Sequence, residues 1–191
     1  RDGYEAVSVS QIAGELGMVK SALYKHYKSK KAIFDSILER MVQMDYERAS
    51  QYEMPEGTAE EMEEKYSRTP LETIAIYSEA QFEYWTEEEF ASLFRRMLTL
   101  EQYRSPEMAQ LYQQYLCSGP LAYTTDLFSH MTNDPEEAKQ LAIEFYSPMF
   151  MLYSLYDAAE DSGRHAVKEM LHRHFERFIQ KNQQLKEIEG I

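Results

Sequence analysis

Apolar residues recur at helical spacing along most of the chain, and no run alternates with the period of a strand. The clearest pattern covers residues 8–33, SVSQIAGELGMVKSALYKHYKSKKAI. Ile12, Ala13 and Leu16 fall on one helical face, and Leu23 and Tyr27 repeat at helical spacing and point back at Ile12 and Leu16. Ser8 is a good N-cap, with Gln11 three residues on to complete a capping box and Val7 placed to staple against Ile12. Ala13 is small enough for a second helix to approach. Gly17 stands where the first helix must stop, since glycine alone takes a left-handed backbone cheaply. The pattern predicts a helix over 9–16, a tight turn, a second helix over 20–27 and a third opening at Lys30 behind a Ser29 cap. Lys20, Ser21, Tyr24, Lys25 and His26 lie on the face opposite the apolar one. That is the layout of a helix-turn-helix whose second helix enters a DNA major groove.

The third helix has an apolar stripe of Ile33, Phe34, Ile37, Leu38, Met41, Val42 and Met44 and is expected to run to about Tyr52 as a connector. Residues 54–66, with Pro55, Gly57 and several glutamates, read as a linker, either a loop or a short solvated helix. Thr69 as cap, Pro70 in the first turn and Glu72 restart helix, with Leu71, Ile74, Ala75, Ser78, Phe82 and Trp85 on one face. Phe90, Leu93, Phe94 and Met97 trace the next. Ser105 and Pro106 start another, with Met108, Leu111, Tyr112 and Tyr115 inward. Gly119 and Pro120 must kink or break it. Asp134 and Pro135 start a helix to about residue 161 that contains Pro148 and is ended by Ser162 and Gly163. The last helix carries Ala166, Val167, Met170, Leu171, His174, Phe175, Phe178 and Ile179. The fold class is all-α: an N-terminal helix-turn-helix unit over 1–45 and a helical unit over 46–191.

Charge sharpens the division. The net charge of −13 looks wrong for a DNA binder, but residues 1–34 hold six Lys/Arg against three Asp/Glu, and 17–31 hold five lysines and no acid. Phosphate affinity follows the local patch, and an acidic remainder turns the basic end toward the duplex. No run of apolar residues is long enough to cross a membrane, so no membrane partner is expected. A single cysteine, Cys117, fits a reducing, cytoplasmic setting.

The run QIAGELGMVKSALYKHYKSKKAI resembles the DNA-binding domain of the TetR/AcrR family of bacterial transcriptional regulators, through Ile12, Ala13, Gly17, Leu23, Tyr24, His26, Tyr27 and Lys30 in combination. In that family a further helix packs behind the motif. Here the chain opens at the Gly3 and Tyr4 that would follow it, so this first helix is expected to be missing by omission. The resemblance implies that Val19, Lys20, Ser21 and Ala22 read bases. Lys20 suits guanine, and Val19 and Ala22 suit thymine methyls, although Val19 departs from the polar residue usual there. Ser8, Ser10, Tyr24, His26, Lys28 and Lys30 would hold phosphates, with Lys25 beside them. It also implies a ligand-responsive homodimer on palindromic operator DNA, released by a small-molecule effector and closed by a four-helix bundle from the last two helices. A repressor is the expected role, and activation is the other possibility.

The rest must be read physically. The second unit is rich in Tyr, Phe and Met, which either fill a core or line a cavity. Broken helices and tyrosine hydroxyls favour a cavity for a flat or lipophilic effector, with Tyr84, Trp85, Phe94, Met97, Tyr115, Tyr123, Phe128, Tyr146 and Met149 as the candidate lining. Glu79, Glu83 or Glu144 could favour a cation there, or lie on solvated faces. Leu141, Phe145, Leu152 and Leu155, with Val167, Met170, Leu171, Phe175 and Phe178, either close a dimer or pack within one chain. Glu169 and His172 match half a di-iron motif with no second copy, and His172 and His174 diverge on their helix. No catalytic residue, metal or cofactor is expected. The competing readings are an all-α di-metal enzyme, and a DNA-binding dimer without a small-molecule ligand.

Overall fold

The computed structural model describes residues 2–52 and 69–183, and every regular element among them is a helix. In chain order these are α1 (Gly3–Ala6), α2 (Val9–Glu15), α3 (Lys20–His26), α4 (Lys30–Gln51), α5 (Leu71–Glu87), α6 (Glu89–Glu101), α7 (Pro106–Leu116), α8 (Ser118–Ser129), α9 (Pro135–Ala158) and α10 (Asp161–Lys181). The all-α expectation holds. The acidic linker reading at 54–66 lies outside the described residues, and the expected boundary at residue 45 falls inside the continuous α4.

Short-range chemistry sets most helix limits. Ser29 Oγ accepts from the Ala32 N–H at 3.0 Å, Ser105 Oγ from Met108 at 3.1 Å, and Asp134 Oδ1 from Glu136 at 2.9 Å. Each meets a first-turn N–H that has no intrahelical partner. Pro106 and Pro135 sit in the first turns of α7 and α9, where a missing N–H does no harm. Two limits differ from expectation. Pro70, not Thr69, holds the N-cap position of α5. The α9–α10 break falls at Ala159 and Glu160, so Ser162 and Gly163 sit inside α10 rather than ending α9.

The chain builds two cores. The small one holds Val9, Ala13 and Leu23, flanked by Ile12, Met18, Tyr27 and Ile33. Leu16 is not part of it: at the C-cap of α2 it has turned away and is 60% exposed. The large core joins Phe34 and Met41 of α4 to the helices from α5 onward. It also takes in seven residues expected at a dimer interface: Leu141, Phe145, Leu152, Val167, Leu171, Phe175 and Phe178. The Phe145 ring lies 4.7 Å from Phe175, 5.1 Å from Phe178 and 5.6 Å from Phe128. These side chains are buried by their own chain and present nothing to a partner, because α8 and α5 cover the faces a lone α9–α10 pair would expose. Only Leu155 and Met170 of that set remain open, at 45% and 48% exposure.

One charged group is built into the large core. Arg95 is 3% exposed. Its Nη1 and Nη2 donate to both Asp157 carboxylate oxygens at 3.0 and 2.7 Å, and its Nε donates to the Trp85 carbonyl at 2.9 Å. The guanidinium also sits 5.0 Å from the Tyr153 ring. The fork thus ties α5, α6 and α9 together with its donors matched.

His172 and His174 of α10 separate as helical geometry requires. His172 faces outward, its Nδ1 2.8 Å from Glu79, and that carboxylate raises its pKa above 6.5. His174 Nε2 lies 3.0 Å from the Phe145 carbonyl, and burial lowers its pKa below 6.5. A depressed histidine withholds protons from the folded state, so folding loses stability as pH falls below 6.5 and His174 is forced to charge. His172 works in the opposite sense.

Two outcomes follow. Arg95→Ala leaves Asp157 short of its bidentate partner and is expected to cost about 3 kcal/mol in denaturant unfolding, against roughly 0.5 for Arg96→Ala, an exposed partner of the same carboxylate. In an NMR titration, His174 is expected to titrate below 6.5 and His172 above it.

Candidate functional site

The helix-turn-helix is fixed by backbone geometry before any packing is considered. Ser8 Oγ accepts from the Gln11 N–H at 3.3 Å while the Ser8 N–H donates to Gln11 Oε1 at 2.8 Å, the expected capping box. At the other end of α2, Gly17 adopts φ +65°. The Met18 N–H then reaches the Ala13 carbonyl at 2.8 Å and the Gly17 N–H that of Gly14 at 3.0 Å. This is a Schellman closure, and it turns the chain so that α3 can lay Leu23 on Ala13 and Val9.

The opposite face of α3 is open. Val19 (68% exposed), Lys20, Ser21, Tyr24, Lys25, His26 and Lys28 are all exposed, as are Ser8 and Ser10 at the start of α2, and Ala22 is half-buried. The Lys20 ammonium stands 5.7 Å from the Tyr24 ring. Lys20, Lys25 and Lys28 form no ion pair with the described residues, so a row of free ammonium groups flanks α3.

Lys30 departs from expectation. Its Nζ donates to the carbonyls of Tyr4 at 2.8 Å, Val7 at 3.1 Å and Glu5 at 3.4 Å, and lies 4.4 Å from the Tyr4 ring. The ammonium neutralises the carbonyl end of α1 and is turned away from any phosphate. Around it, the Tyr4 ring packs 4.9 Å from Phe34. Glu101, with no exposed surface, accepts from the Glu5 N–H at 3.4 Å and from Arg104 Nη1 at 2.9 Å. Gly3 passes so close that a Cβ there would fall 1.9 Å from Glu101 Oε1. Lys31 pairs with Asp35 at 3.2 Å and reaches Glu107 of α7 at 2.9 Å. The helix-turn-helix is thus fastened to α6 and α7 through α1 and the head of α4.

A cavity of about 920 Å³ lies further along α4. Val42, Asp45, Tyr46 and Ala49 of α4 form one wall, facing Tyr77, Gln81 and Trp85 of α5, Tyr115 of α7, Gly119, Pro120 and Tyr123 of α8, and Tyr146, Met149 and Tyr153 of α9. Of the expected lining residues, Trp85, Tyr115, Tyr123, Tyr146 and Met149 are there. The others are not. Phe94 stacks behind Trp85 at 6.4 Å, and Phe128 fills the core beside Phe145. Met97 packs at the core margin, and the Tyr84 ring lies under the Arg48 guanidinium at 3.4 Å.

Pro120 explains part of the opening. It cannot donate to the carbonyl four residues back, so the helix breaks at Cys117 and the Leu116 carbonyl is left over. The buried Tyr146 hydroxyl donates to that carbonyl at 2.8 Å, and burial pushes its pKa well up. Gly119 passes so close to the preceding helix that a Cβ would meet the Gln114 carbonyl oxygen at 1.9 Å.

The glutamates weighed for a cation lie elsewhere. Glu79 pairs with His172, Glu83 with Lys168 at 3.0 Å and Glu144 with Lys181 at 2.6 Å, and none lines the cavity. The acid at the cavity is Asp45, salt-bridged to Arg48 one turn on. Burial raises its pKa in spite of that guanidinium. In the sequence α4 reads as a connector: Val42 belongs to its apolar stripe, and nothing marks Asp45, Tyr46 or Ala49 as cavity residues. No group of three His, Cys, Asp or Glu able to hold a metal occurs among the described residues, and no described helix is long and apolar enough to cross a membrane.

Residues 1–37 match the model of the family described as bacterial regulatory proteins, tetR family. No curated protein and no solved structure matches the chain.

Removing the Lys30 ammonium while keeping its stem tests its structural role. Lys30→Met is expected to speed hydrogen exchange at the amides of residues 4–7 by about tenfold, the loss of roughly 1.4 kcal/mol of charge-assisted bonding, and to leave α3 unchanged.

Proposed function

We propose that this chain, a DNA-binding regulator of the tetR family, is a dimeric repressor that an effector bound in the α4 cavity releases from palindromic operator DNA. The observation that carries the reading is the double duty of α4. Its first turns hold Ile33 against the helix-turn-helix core, and its later turns supply Val42, Asp45, Tyr46 and Ala49 to the cavity wall. A ligand that favours one placement of that wall biases the placement of α3, and only such unequal binding can shift the equilibrium.

In this reading the helix-turn-helix contacts DNA, and the chain from the later turns of α4 onward binds effector and partner. Val19, Lys20, Ser21 and Ala22 read base edges, and Ser8, Ser10, Tyr24, Lys25, His26 and Lys28 hold phosphates. The dimer surface is the row left uncovered on α9 and α10: Ile143, Phe150, Met151 and Leu155 with Met170, which are 39–57% exposed. On α9 these recur with Ser147 and Ser154 at helical spacing, a stripe suited to packing against its own copy. Two copies would set two recognition helices about one DNA turn apart.

The test is fluorescence anisotropy with the protein's own promoter DNA across a salt series, with and without lipophilic aromatic compounds. Lys25→Ala is expected to weaken binding and reduce the salt slope by about one, Lys20→Ala to relax sequence selectivity, and Lys30→Met to leave the slope unchanged. Leu155→Glu is expected to give a folded monomer by sedimentation that loses operator affinity at least tenfold. Sequence-selective binding that no compound relieves would remove the effector, and no selective binding by a folded dimer would remove the operator.

A further inference from the structure

The wall of the cavity carries a chemical preference. Among its described lining residues Asp45 carries the one carboxyl group, and the remainder are aromatic, aliphatic or neutral polar. Its partner is placed behind it. Arg48 is 9% exposed, lies flat on the Tyr84 ring at 3.4 Å, gives its Nε to Gln81 at 3.0 Å, and does not line the cavity. The Asp45 side chain retains 36% exposure. A molecule inside therefore meets the carboxylate, while the guanidinium is engaged by a ring and an amide and is not among the lining groups.

We propose that the effector is an aromatic cation, bound with its positive charge at Asp45 and its rings among Trp85, Tyr115, Tyr123 and Tyr153. This rests on the reading of the cavity as the effector site. Ring faces carry partial negative charge and attract cations, and here they surround a carboxylate already partly removed from water. Burial raises the Asp45 pKa even with Arg48 beside it, so one guanidinium leaves the carboxylate undercompensated. A second cation completes the compensation. An anionic ligand would be brought against a carboxylate of like charge in a chain of net charge −13, and would find no cationic side chain among the described lining to meet it. The Tyr146 hydroxyl offers no substitute, since it is already bonded to the Leu116 carbonyl.

Asp45 also gives the charge a mechanical consequence. It lies on α4, and its carboxylate holds Arg48 of the same helix, which in turn holds Gln81 of α5. A ligand cation shares that carboxylate with Arg48 and so bears on the α4–α5 link at its polar point. The same binding event that is selective for positive charge thereby acts on the helix bearing the helix-turn-helix.

The test uses the full chain and three probes sharing one ring system: 9-anthracenylmethyl-trimethylammonium, 9-anthracenemethanol and 9-anthracenecarboxylate. Calorimetry gives affinities, and quenching of Trp85, the chain's single tryptophan, places the probe in the cavity. The cation is expected to bind at least about tenfold more tightly than the alcohol, with the carboxylate weakest. Asp45→Asn is expected to remove the preference for the cation and to leave the alcohol within about twofold. If the variant fails to fold, the ranking of the probes on the wild type still decides. Equal binding of cation and alcohol, tightest binding of the carboxylate, or an unchanged ranking in a folded Asp45→Asn overturns the cation and leaves the cavity reading standing. No binding and no Trp85 quenching by all three overturns both.

Discussion

Three buried side chains, Val9, Ala13 and Leu23, form the centre of the helix-turn-helix core. That is too little apolar burial to hold a unit of this size by itself, and the remaining support comes from α4. Its Ile33 closes the small core from one side, and Phe34, the next residue, belongs to the large core. A helix that contributes consecutive residues to two cores cannot move relative to one without a response in the other. The Lys30 ammonium on α1, Tyr4 on Phe34, Glu101 beneath Gly3 and the Lys31 bridge to Glu107 fix the same junction from other directions. The position of the recognition helix is therefore a property of the whole bundle.

What the sequence discloses and what it withholds divide along the range of the interaction. Capping at Ser8, Ser29, Ser105 and Asp134 and the left-handed turn at Gly17 are settled within a few residues, and all were legible. Periodicity shows that a face is buried but not what buries it. Leu141, Phe145, Leu171 and Phe175 read equally well as dimer interface or interior, and they are interior because α5 and α8 reach them from distant parts of the chain. Lys30 reads as one more lysine in a basic run until three carbonyls are seen to converge on it. About half the expected cavity residues do line it, the misses being rings such as Phe94 and Phe128 that stand one layer behind. Asp45 carries no sequence signal, because an acid between apolar positions of a long helix is ordinarily solvated, and only the fold of α5, α8 and α9 across it makes it otherwise.

The cavity depends on a defect placed with its remedy. Pro120 ends the hydrogen-bond ladder, and an orphaned carbonyl in an apolar interior costs about 1–3 kcal/mol if nothing meets it. Tyr146 meets it, which removes one hydroxyl from the ligand's reach and anchors α9 to the break. Gly119 allows the chain to pass the Gln114 carbonyl without a side chain between them. The result is a break between α7 and α8 whose orphaned Leu116 carbonyl is met by Tyr146, and the space beside it has α4 as one wall.

On the proposed reading of the cavity, the energetics of the switch set a condition on its ligand. Tight binding alone moves nothing, and the ligand must prefer one position of α4 by the free energy of the shift. Apolar contact with rings from α7, α8 and α9 contributes affinity, but it is nearly indifferent to small displacements of a neighbouring helix. A charge interaction is less forgiving, because it changes steeply with distance and with how far the pair is removed from water. Asp45 is the point on α4 where such an interaction can be made, beside its existing bond to Arg48. On that proposed reading, affinity and response reside in different parts of the same cavity: the aromatic walls retain the ligand, and the carboxylate on α4 makes its presence matter to the recognition helix.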